Sequence, residues 1–364
     1  MIIRLLTAFM AVAAMQSILY RLFALRHFKY TCTLSVRKVN AGETIELYET
    51  LENSGFLPLL WLKIETRFNE ALYFLKNDNT SVAAVTFHRS VFTAPPYRRI
   101  RRTYKVVCTR RGYYKLGASS VTSGDLMGIE TSSISFDCHA DLYVYPIPLP
   151  WQSLSLPTRT WLGEWVVRRF IFPDPFMPAG VRDYAPGDPL HQIHWKASAK
   201  TGALVVHRHS YTADANLLVC FNIDAAAGQW AQADVIQSES MEQDVRLLAT
   251  VLHFALTNGM SAALHTNSIS RADGEEVSVS SGYGISHRET LFTALAEMQF
   301  RRTRPFPMLL REMAASVNHK DILVMTRYLT NEILAECELL RKAGSKVEIL
   351  VTTDTQTQVR GDGI

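Results

Sequence analysis

The stretch Asn216-Leu217-Leu218-Val219-Cys220-Phe221-Asn222-Ile223-Asp224 decides the fold of the larger part of the chain. An unbroken apolar run bounded by polar residues reads as a strand buried on both faces, and such strands belong to sheets covered by helices. The sequence that follows keeps the matching rhythm. Met241 to Asn258 carries Val245, Leu248, Leu252, Phe254 and Leu256 on an amphipathic helix that stops at Asn258-Gly259. A strand (Ser261–His265), a helix (Arg288–Met298), a strand (Ile322–Met325), a helix (Asn331–Ala343) and a strand (Lys346–Val351) complete the alternation. This pattern gives a parallel, doubly wound sheet with helices on both faces, here over residues 216–355.

The functional edge of such a sheet is the carboxyl end of its strands. Asp224 stands there, where a domain resembling the von Willebrand factor A type would hold a metal through an Asp-x-Ser-x-Ser pattern. The sequence is instead Asp224-Ala225-Ala226-Ala227-Gly228, without either hydroxyl. One carboxylate among alanines does not make the oxygen shell of a hard cation. No magnesium is expected at Asp224, and no metal or cofactor elsewhere.

Just upstream lies the most densely specified segment, Gly180-Val181-Arg182-Asp183-Tyr184-Ala185-Pro186-Gly187-Asp188-Pro189, continued by His191, Ile193, His194, Trp195, Lys196 and Gly202. Pro186-Gly187 makes a turn, Asp188 reads as a helix N-cap and Pro189 as the first helical residue. Leu190, Ile193 and Ala197 then share one apolar face, and Gly202 closes the helix. An Arg182–Asp188 ion pair and a guanidinium over the Trp195 ring are the expected contacts. A purely structural role, locking the junction of two domains over residues 180–215, stands beside any binding role.

Four histidines crowd the same segment. His191 and His194 would share a helix face, and His207 and His209 a strand face. Such a set could hold zinc. Lys196, Lys200 and Arg208 fill the region with positive charge instead, and no acidic pattern supports the ligands.

Residues 147–179 form a connector rich in Pro and Trp. Pro146, Pro148, Pro150, Pro157, Pro173, Pro175 and Pro178 deny donors to a sheet and disfavour helix, which makes the segment stiff and extended. Before it, residues 30–146 have a period of two. Cys32, Leu34 and Val36 alternate with polar neighbours, as do Leu60, Leu62 and Ile64 with Trp61, Lys63 and Glu65. Similar runs recur at Thr44–Leu51, Ser81–Phe92, Arg102–Thr109 and Leu142–Tyr145, separated by Gly- and Asn-containing turns. They read as an antiparallel β-sandwich of immunoglobulin-like size.

This β-rich part has an uneven charge. No Asp or Glu occurs between Asn79 and Gly124, whereas Arg89, Arg98, Arg99, Arg101, Arg102, Lys105, Arg110, Arg111 and Lys115 do. One reading is a surface for acidic lipid headgroups or nucleic acid, with lipid the better partner behind a membrane anchor and no nucleic acid expected. The other is a solvated strand face that protects against edge pairing.

The anchor is residues 1–27. Leu5 to Tyr20 carry no charge, and the apolar character continues through Leu25 past Arg21. A spanning helix needs about 20 residues, which this segment reaches if Arg21 snorkels. Only Arg4 precedes it, while Arg21, Arg26, Lys29, Arg37 and Lys38 follow. The positive-inside rule therefore places the bulk of the chain in the cytoplasm of a single-pass membrane protein.

Composition agrees with this layout. The chain of 364 residues is 48% hydrophobic and 20% charged, which excludes a disordered chain, a collagen and a disulfide mini-protein. A mean hydropathy of +0.01 is apolar for a soluble chain, and much of the excess sits in the anchor. The net charge of +4 hides an asymmetry, because His209 to Val245 holds no Lys or Arg beside Asp214, Asp224, Asp234, Glu239, Glu242 and Asp244. Five scattered cysteines never form a Cys-x-x-Cys pair and suit a reducing compartment.

Taken together, Gly180, Arg182, Tyr184, Gly187 and Asp188, followed by Ile193, Trp195, Lys196 and Ala197, resemble the signature of the bacterial family catalogued as domain of unknown function 58. Ala41-Gly42-Glu43, Asn53, Leu57-Pro58, Arg110-Arg111-Gly112-Tyr113-Tyr114-Lys115-Leu116-Gly117, Ser123-Gly124-Asp125-Leu126-Met127-Gly128 and Val144-Tyr145-Pro146 are similar to its upstream β-domain. The resemblance implies a membrane-anchored chain with a von Willebrand factor A-like part, working with a MoxR-type AAA+ ATPase in assembly or maturation. No catalytic activity is established for the family. The resulting expectation is a non-enzymatic adaptor that also contacts an unknown client protein. The alternatives are a histidine-metal hydrolase and an anionic-lipid or nucleic-acid binder.

Overall fold

The protein is described from a computed structural model. The described residues are 2–75, 87–125, 128, 131–154, 159–160, 163, 178–185, 193–209, 216–226, 235–316, 320–352 and 357–360. The chain divides into two compact units, the first Met1–Ile147 with Leu295–Glu297 and the second Pro148–Ala294 with Met298–Ile364.

The first unit opens with α1 (Ile2–Phe23), which among the described residues is the one helix long and apolar enough to cross a membrane. Ile2, Leu6, Phe9, Met10 and Val12 are exposed on it. Among the described residues nine strands follow: β1 (Phe28–Leu34), β2 (Lys38–Asn40), β3 (Thr44–Asn53), β4 (Leu59–Arg67), β5 (Leu72–Leu75), β6 (Phe87–Ala94), β7 (Arg98–Cys108), β8 (Gly112–Gly124) and β9 (Thr131–Tyr145). They make two sheets, ordered β1-β3-β7-β5 and β2-β9-β8-β4-β6. Among the described residues every pairing of these strands is antiparallel except β2 with β9. The period of two is the cause: Phe28, Tyr30 and Cys32 of β1 and Ile45, Leu47 and Leu51 of β3 all face one core. Leu62, Ile64, Val121, Leu142 and Val144 of the other sheet face the same core, which also takes in Tyr20, Ala24 and Leu25 from the end of α1.

Strand β3 supplies the acids that the basic stretch lacks in sequence. Arg99, Arg102 and Lys105 on β7 lie opposite Glu52, Glu49 and Glu46 on β3. Arg99 reaches Glu52 at 2.7 Å, and Arg89 on β6 reaches Glu65 on β4 at 2.9 Å. Arg101 and Arg102 lie over the rings of Tyr48 and Phe92 at 4.2 and 4.1 Å. Much of the stretch is therefore cross-strand pairing rather than an open basic face.

The second unit begins with a two-stranded ribbon of β10 (Pro178–Asp183) and β11 (Val205–His209), with α2 (Trp195–Thr201) between them in sequence. It continues with β12 (Asn216–Phe221), α3 (Val235–Thr257), β13 (Ser261–Ser270), β14 (Glu276–Gly282), α4 (Gly284–Glu297), β15 (Met298–Arg302), α5 (Phe306–Ser316), β16 (Asp321–Thr326), α6 (Asn331–Lys342), β17 (Lys346–Thr352) and β18 (Thr357–Arg360). The large sheet is ordered β14-β13-β12-β16-β17-β18, and β15 pairs β13 off this path. Leu218, Cys220, Ile322, Val324 and Val347 pack with Phe306, Leu310 and Cys337 from α5 and α6. The alternate residues Leu217, Val219 and Phe221 are equally buried on the opposite face.

Two expectations are corrected here. The sheet is parallel only in its centre, where β12 pairs β13 and β16, and β16 pairs β17. Its edges β14 and β18 run antiparallel, as hairpin returns from β13 and β17. Helix α5 is absent from the sequence reading, although Phe306, Leu309, Leu310 and Met313 form its buried face. Pro305 and Pro307 interrupt the pattern, yet proline is tolerated in a first helical turn. All five cysteines are buried and free of disulfides.

Candidate functional site

Order β13-β12-β16 places the switch point of the parallel strands at the carboxyl end of β12, the place where open α/β sheets bind ligands. The buried strand ends at Phe221, and Asn222 continues its pairing through a bond from its N–H to the Met325 carbonyl at 2.9 Å. Asn222 Nδ2 donates to Thr326 Oγ1 at 3.1 Å. Asn222 Oδ1 accepts from the backbone of Asp224 at 3.1 Å and from Asn267 Nδ2 at 3.1 Å. Asn267 Oδ1 in turn accepts from the backbone N–H of Ile223 at 3.0 Å. The two carboxamides thus fix the turn that presents Asp224.

Asp224 is 7% exposed. Arg302 Nη1 and Asn267 Nδ2 each lie 3.5 Å from its Oδ2. Burial pushes its carboxyl above the ordinary range, and the Arg302 charge with hydrogen bonds from Arg302, Tyr328 and Asn267 draws it back. The set does not fit a hard cation. A guanidinium stands beside the single carboxylate, and alanines occupy the next two positions, 225 and 226. Among the described residues no three His, Cys, Asp or Glu side chains gather as metal ligands would. A second buried pair supports the same edge, with Arg327 Nε 2.8 Å from Asp244 Oδ2.

The sequence reading reached Asp224 and missed Asn267, Arg302, Thr326 and Tyr328. A signal was available for two of them, because each parallel strand leaves its apolar run on a polar residue, Thr266-Asn267 and Thr326 among them.

The signature residues lie on the ribbon and α2. Gly180 and Arg182 are on β10, where Arg182 pairs Val206 of β11, and Tyr184 follows with its N–H bonded to the Leu204 carbonyl at 2.9 Å. Ile193 bridges Val206 from the other side. Arg182 and Ile193 therefore flank one fully buried residue, Val206. Trp195 and Lys196 open α2, both exposed. Gly187 and Asp188 lie outside the described residues, as do His191 and the expected Arg182–Asp188 pair.

The expected helix from Pro189 is corrected at its described end. Ile193 and His194 are not helical: His194 N–H bonds the Val205 carbonyl at 2.8 Å, which continues a strand pairing. The helix starts at Trp195, and His194 caps it, its Nδ1 accepting from Ala197 N–H at 3.2 Å. His194 accordingly lies on no helix face. Gly202 does close the helix, in the left-handed conformation at φ 71°. Ser198 Oγ ties α2 to β11 by accepting from Val205 N–H at 2.9 Å.

A sequence profile of the family described as "Protein of unknown function DUF58" matches residues 180–361, which is half of the chain. The chain belongs to the DUF58 family. Its matched part contains both the signature ribbon and the edge at Asp224. Over 351 residues the DUF58 chain is also 23% identical to the uncharacterized protein YeaD of Bacillus subtilis, covering 94% of this chain and 80% of that one. Among solved structures, the CARDB domain of a Pyrococcus furiosus protein aligns with 32% of this chain and 94% of its own. That likeness, at a TM-score of 0.21 and 14% identity, is too slight to bear on the fold.

Proposed function

We propose that this DUF58 chain is a membrane-tethered, non-enzymatic adaptor. In this reading α1 is its single-pass anchor and the bulk of the chain is cytoplasmic, as the excess of Arg and Lys behind the helix favours. The first unit serves as an immunoglobulin-sized β-sandwich and the second as a von Willebrand factor A-like domain with a cation-free edge. The adaptor holds a client protein for a MoxR-type AAA+ ATPase.

One observation carries the reading. The signature segment leaves Trp195, the first residue of α2, 66% and Leu204, just ahead of β11, 45% exposed, with α2 tied to β11 through Ser198 and Val205. An exposed indole on a rigid support, beside the cations Lys196 and Lys200, suits a protein partner better than solvent.

The test is a pull-down of the MoxR-type ATPase encoded nearest the gene by the full-length protein in detergent. The repeat uses Arg182→Ala and Trp195→Ala. Retention by the wild type and loss in Trp195→Ala supports the adaptor; no retention by the wild type overturns it.

A further inference from the structure

Helix α1 is not a free stalk. The first unit grips it well before it ends. Ala13 is buried, and Gln16 Nε2 and Ser17 Oγ both donate to Asp125 Oδ2, at 2.8 and 2.5 Å. Tyr20 donates its hydroxyl proton to the Pro58 carbonyl at 2.7 Å, and the rings of Phe23 and Phe56 stand 5.9 Å apart.

Length then decides what the grip implies. Ile2 to Met15, the part ahead of these bonds, is fourteen residues long. At about 1.5 Å per residue it measures about 21 Å, short of the roughly 30 Å of bilayer hydrocarbon. The span long and apolar enough to cross is the whole of Ile2–Phe23, so the gripped turns, Gln16 to Phe23, are part of it. Their outer face is built for it, with Ile18 and Leu22 57% and 59% exposed. The loops that hold these turns must go with them.

Those loops form one end of the first unit. Asn53 Nδ2 donates to the carbonyls of Leu57, Ala94 and Pro95 at 2.9, 3.1 and 3.2 Å, which ties the 54–58 loop to the turn at 95–97. Phe56 is 53% and Tyr97 73% exposed there. Arg98 is exposed beside Tyr97 and pairs Asn53 across the sheet. Arg26 and Lys29 are exposed at the same end. Exposed aromatic rings ringed by cations are what a bilayer interface with anionic headgroups accommodates. Tyr97 also holds a left-handed backbone, φ 54°, rare for a bulky residue, at the tip of this turn.

We infer that this end of the β-rich unit, through Phe56, Tyr97 and Arg98, sits in the headgroup layer of an anionic bilayer. The inference rests on the reading of α1 as a membrane anchor. It replaces the whole stretch from Arg89 to Lys115 by a smaller surface, since Arg89 and Arg99 are engaged with Glu65 and Glu52.

The test uses the full-length protein in vesicles of phosphatidylcholine with or without phosphatidylglycerol. Because all five native cysteines are buried, a polar thiol-reactive fluorophore will label an introduced cysteine selectively. Variants are Phe56→Cys, Tyr97→Cys, Thr44→Cys at the opposite end, and Met10→Cys in the helix. Nitroxide on the lipid headgroup should quench positions 56 and 97 roughly threefold more than position 44, and phosphatidylglycerol should increase that quenching. Arg98→Glu in the Tyr97→Cys background should remove roughly half of it.

Quenching at 56 and 97 no greater than at 44, with Met10→Cys quenched by an acyl-chain nitroxide, overturns the surface and leaves the anchor standing. An unquenched Met10→Cys removes the anchor and the surface together. Quenching at 56 and 97 that ignores phosphatidylglycerol overturns the preference for anionic lipid.

Discussion

Arg302 Nη1 stands 3.5 Å from Asp224 Oδ2, at the carboxyl edge of the central strand β12, and both side chains are largely buried. Burial works against the carboxylate there and the guanidinium works for it. Arg302→Gln therefore leaves an under-compensated buried charge and should cost about 1–3 kcal/mol at neutral pH. A carboxyl whose folded pKa is raised stabilises the fold below its unfolded pKa, and that contribution is lost as pH rises through the folded value. Removing Arg302 raises the folded value further. The deficit of Arg302→Gln should accordingly be larger at pH 7.5 than at pH 4.5, and Asp224→Asn in the same chain should recover most of it. Urea unfolding at the two pH values measures this; equal deficits would show that the pair is not the cause.

The same pair makes a prediction about metal. With a guanidinium beside Asp224 and no hydroxyl at Ala226 or Gly228, magnesium titrated calorimetrically should give no saturable heat that Asp224→Ala abolishes. A stoichiometric heat lost in that variant would mean that Arg302 moves aside for the ion.

In the first unit, the core between the sheets holds an ionisable cluster. Glu49 and His88 are 0% and 1% exposed, and Ser90 Oγ lies between them, 3.3 Å from Glu49 Oε2 and 3.0 Å from His88 Nε2. Burial lowers the His88 imidazole from 6.5 to about 4. The unfolded chain therefore takes up a proton in a range where the folded protein refuses it. Stability should fall by about 3 kcal/mol as pH drops from 6.5 towards 4. Glu49 has the opposite sign: burial raises its pKa, against hydrogen bonds from Tyr30, Ser90 and Tyr104. His88→Gln should flatten the acid limb, and Glu49→Gln, which deletes the opposing contribution, should steepen it. If both variants follow the wild-type curve, the cluster does not set the acid limit.

How far the sequence disclosed this molecule depended on where each signal was stored. The parallel centre of the large sheet was legible because Leu217–Phe221 and Ile322–Met325 are continuous apolar runs. Its edge β14 was not, because Ser and Gly dilute a strand that is mostly half-exposed. Asp224 was legible as the first acid after a buried strand. Arg302 was not, since it arrives 78 residues later on an antiparallel strand beside β13. The helix start expected at Asp188-Pro189 rests on local capping rules and lies outside the described residues; Ile193 is buried in a bridge to Val206, and that tertiary pairing sets the described start at Trp195. The basic run misled for a related reason: its acids lie on β3, with Glu52 47 residues from Arg99.

Gly42 tests a backbone rather than a side chain. It adopts φ +82°, and a Cβ there would meet Ile147 Cδ1 at an ordinary 3.7 Å. Space is not the obstacle, so the cost of Gly42→Ala is conformational, about 1–2 kcal/mol. Gly42→Asn should cost less, because Asn tolerates the left-handed region. Thermal unfolding of both variants decides it, and equal losses would point to packing against Ile147 instead.

Trp195 and Ile193 separate binding from stability inside one motif. Ile193 is 5% exposed and bridges Val206, so Ile193→Ala should cost about 2–5 kcal/mol and lower the unfolding temperature of the second unit. Trp195 is 66% exposed, and its truncation should change stability by no more than about 0.5 kcal/mol. If the signature exists only to hold its own fold, nothing beyond stability should depend on the indole. If it is a contact surface, Trp195→Ala should lose the partner while unfolding at the wild-type temperature. The decisive measurement pairs a pull-down with a melting curve on the same preparation. A Trp195→Ala protein that melts early, or that keeps its partner, would return the signature to a structural role.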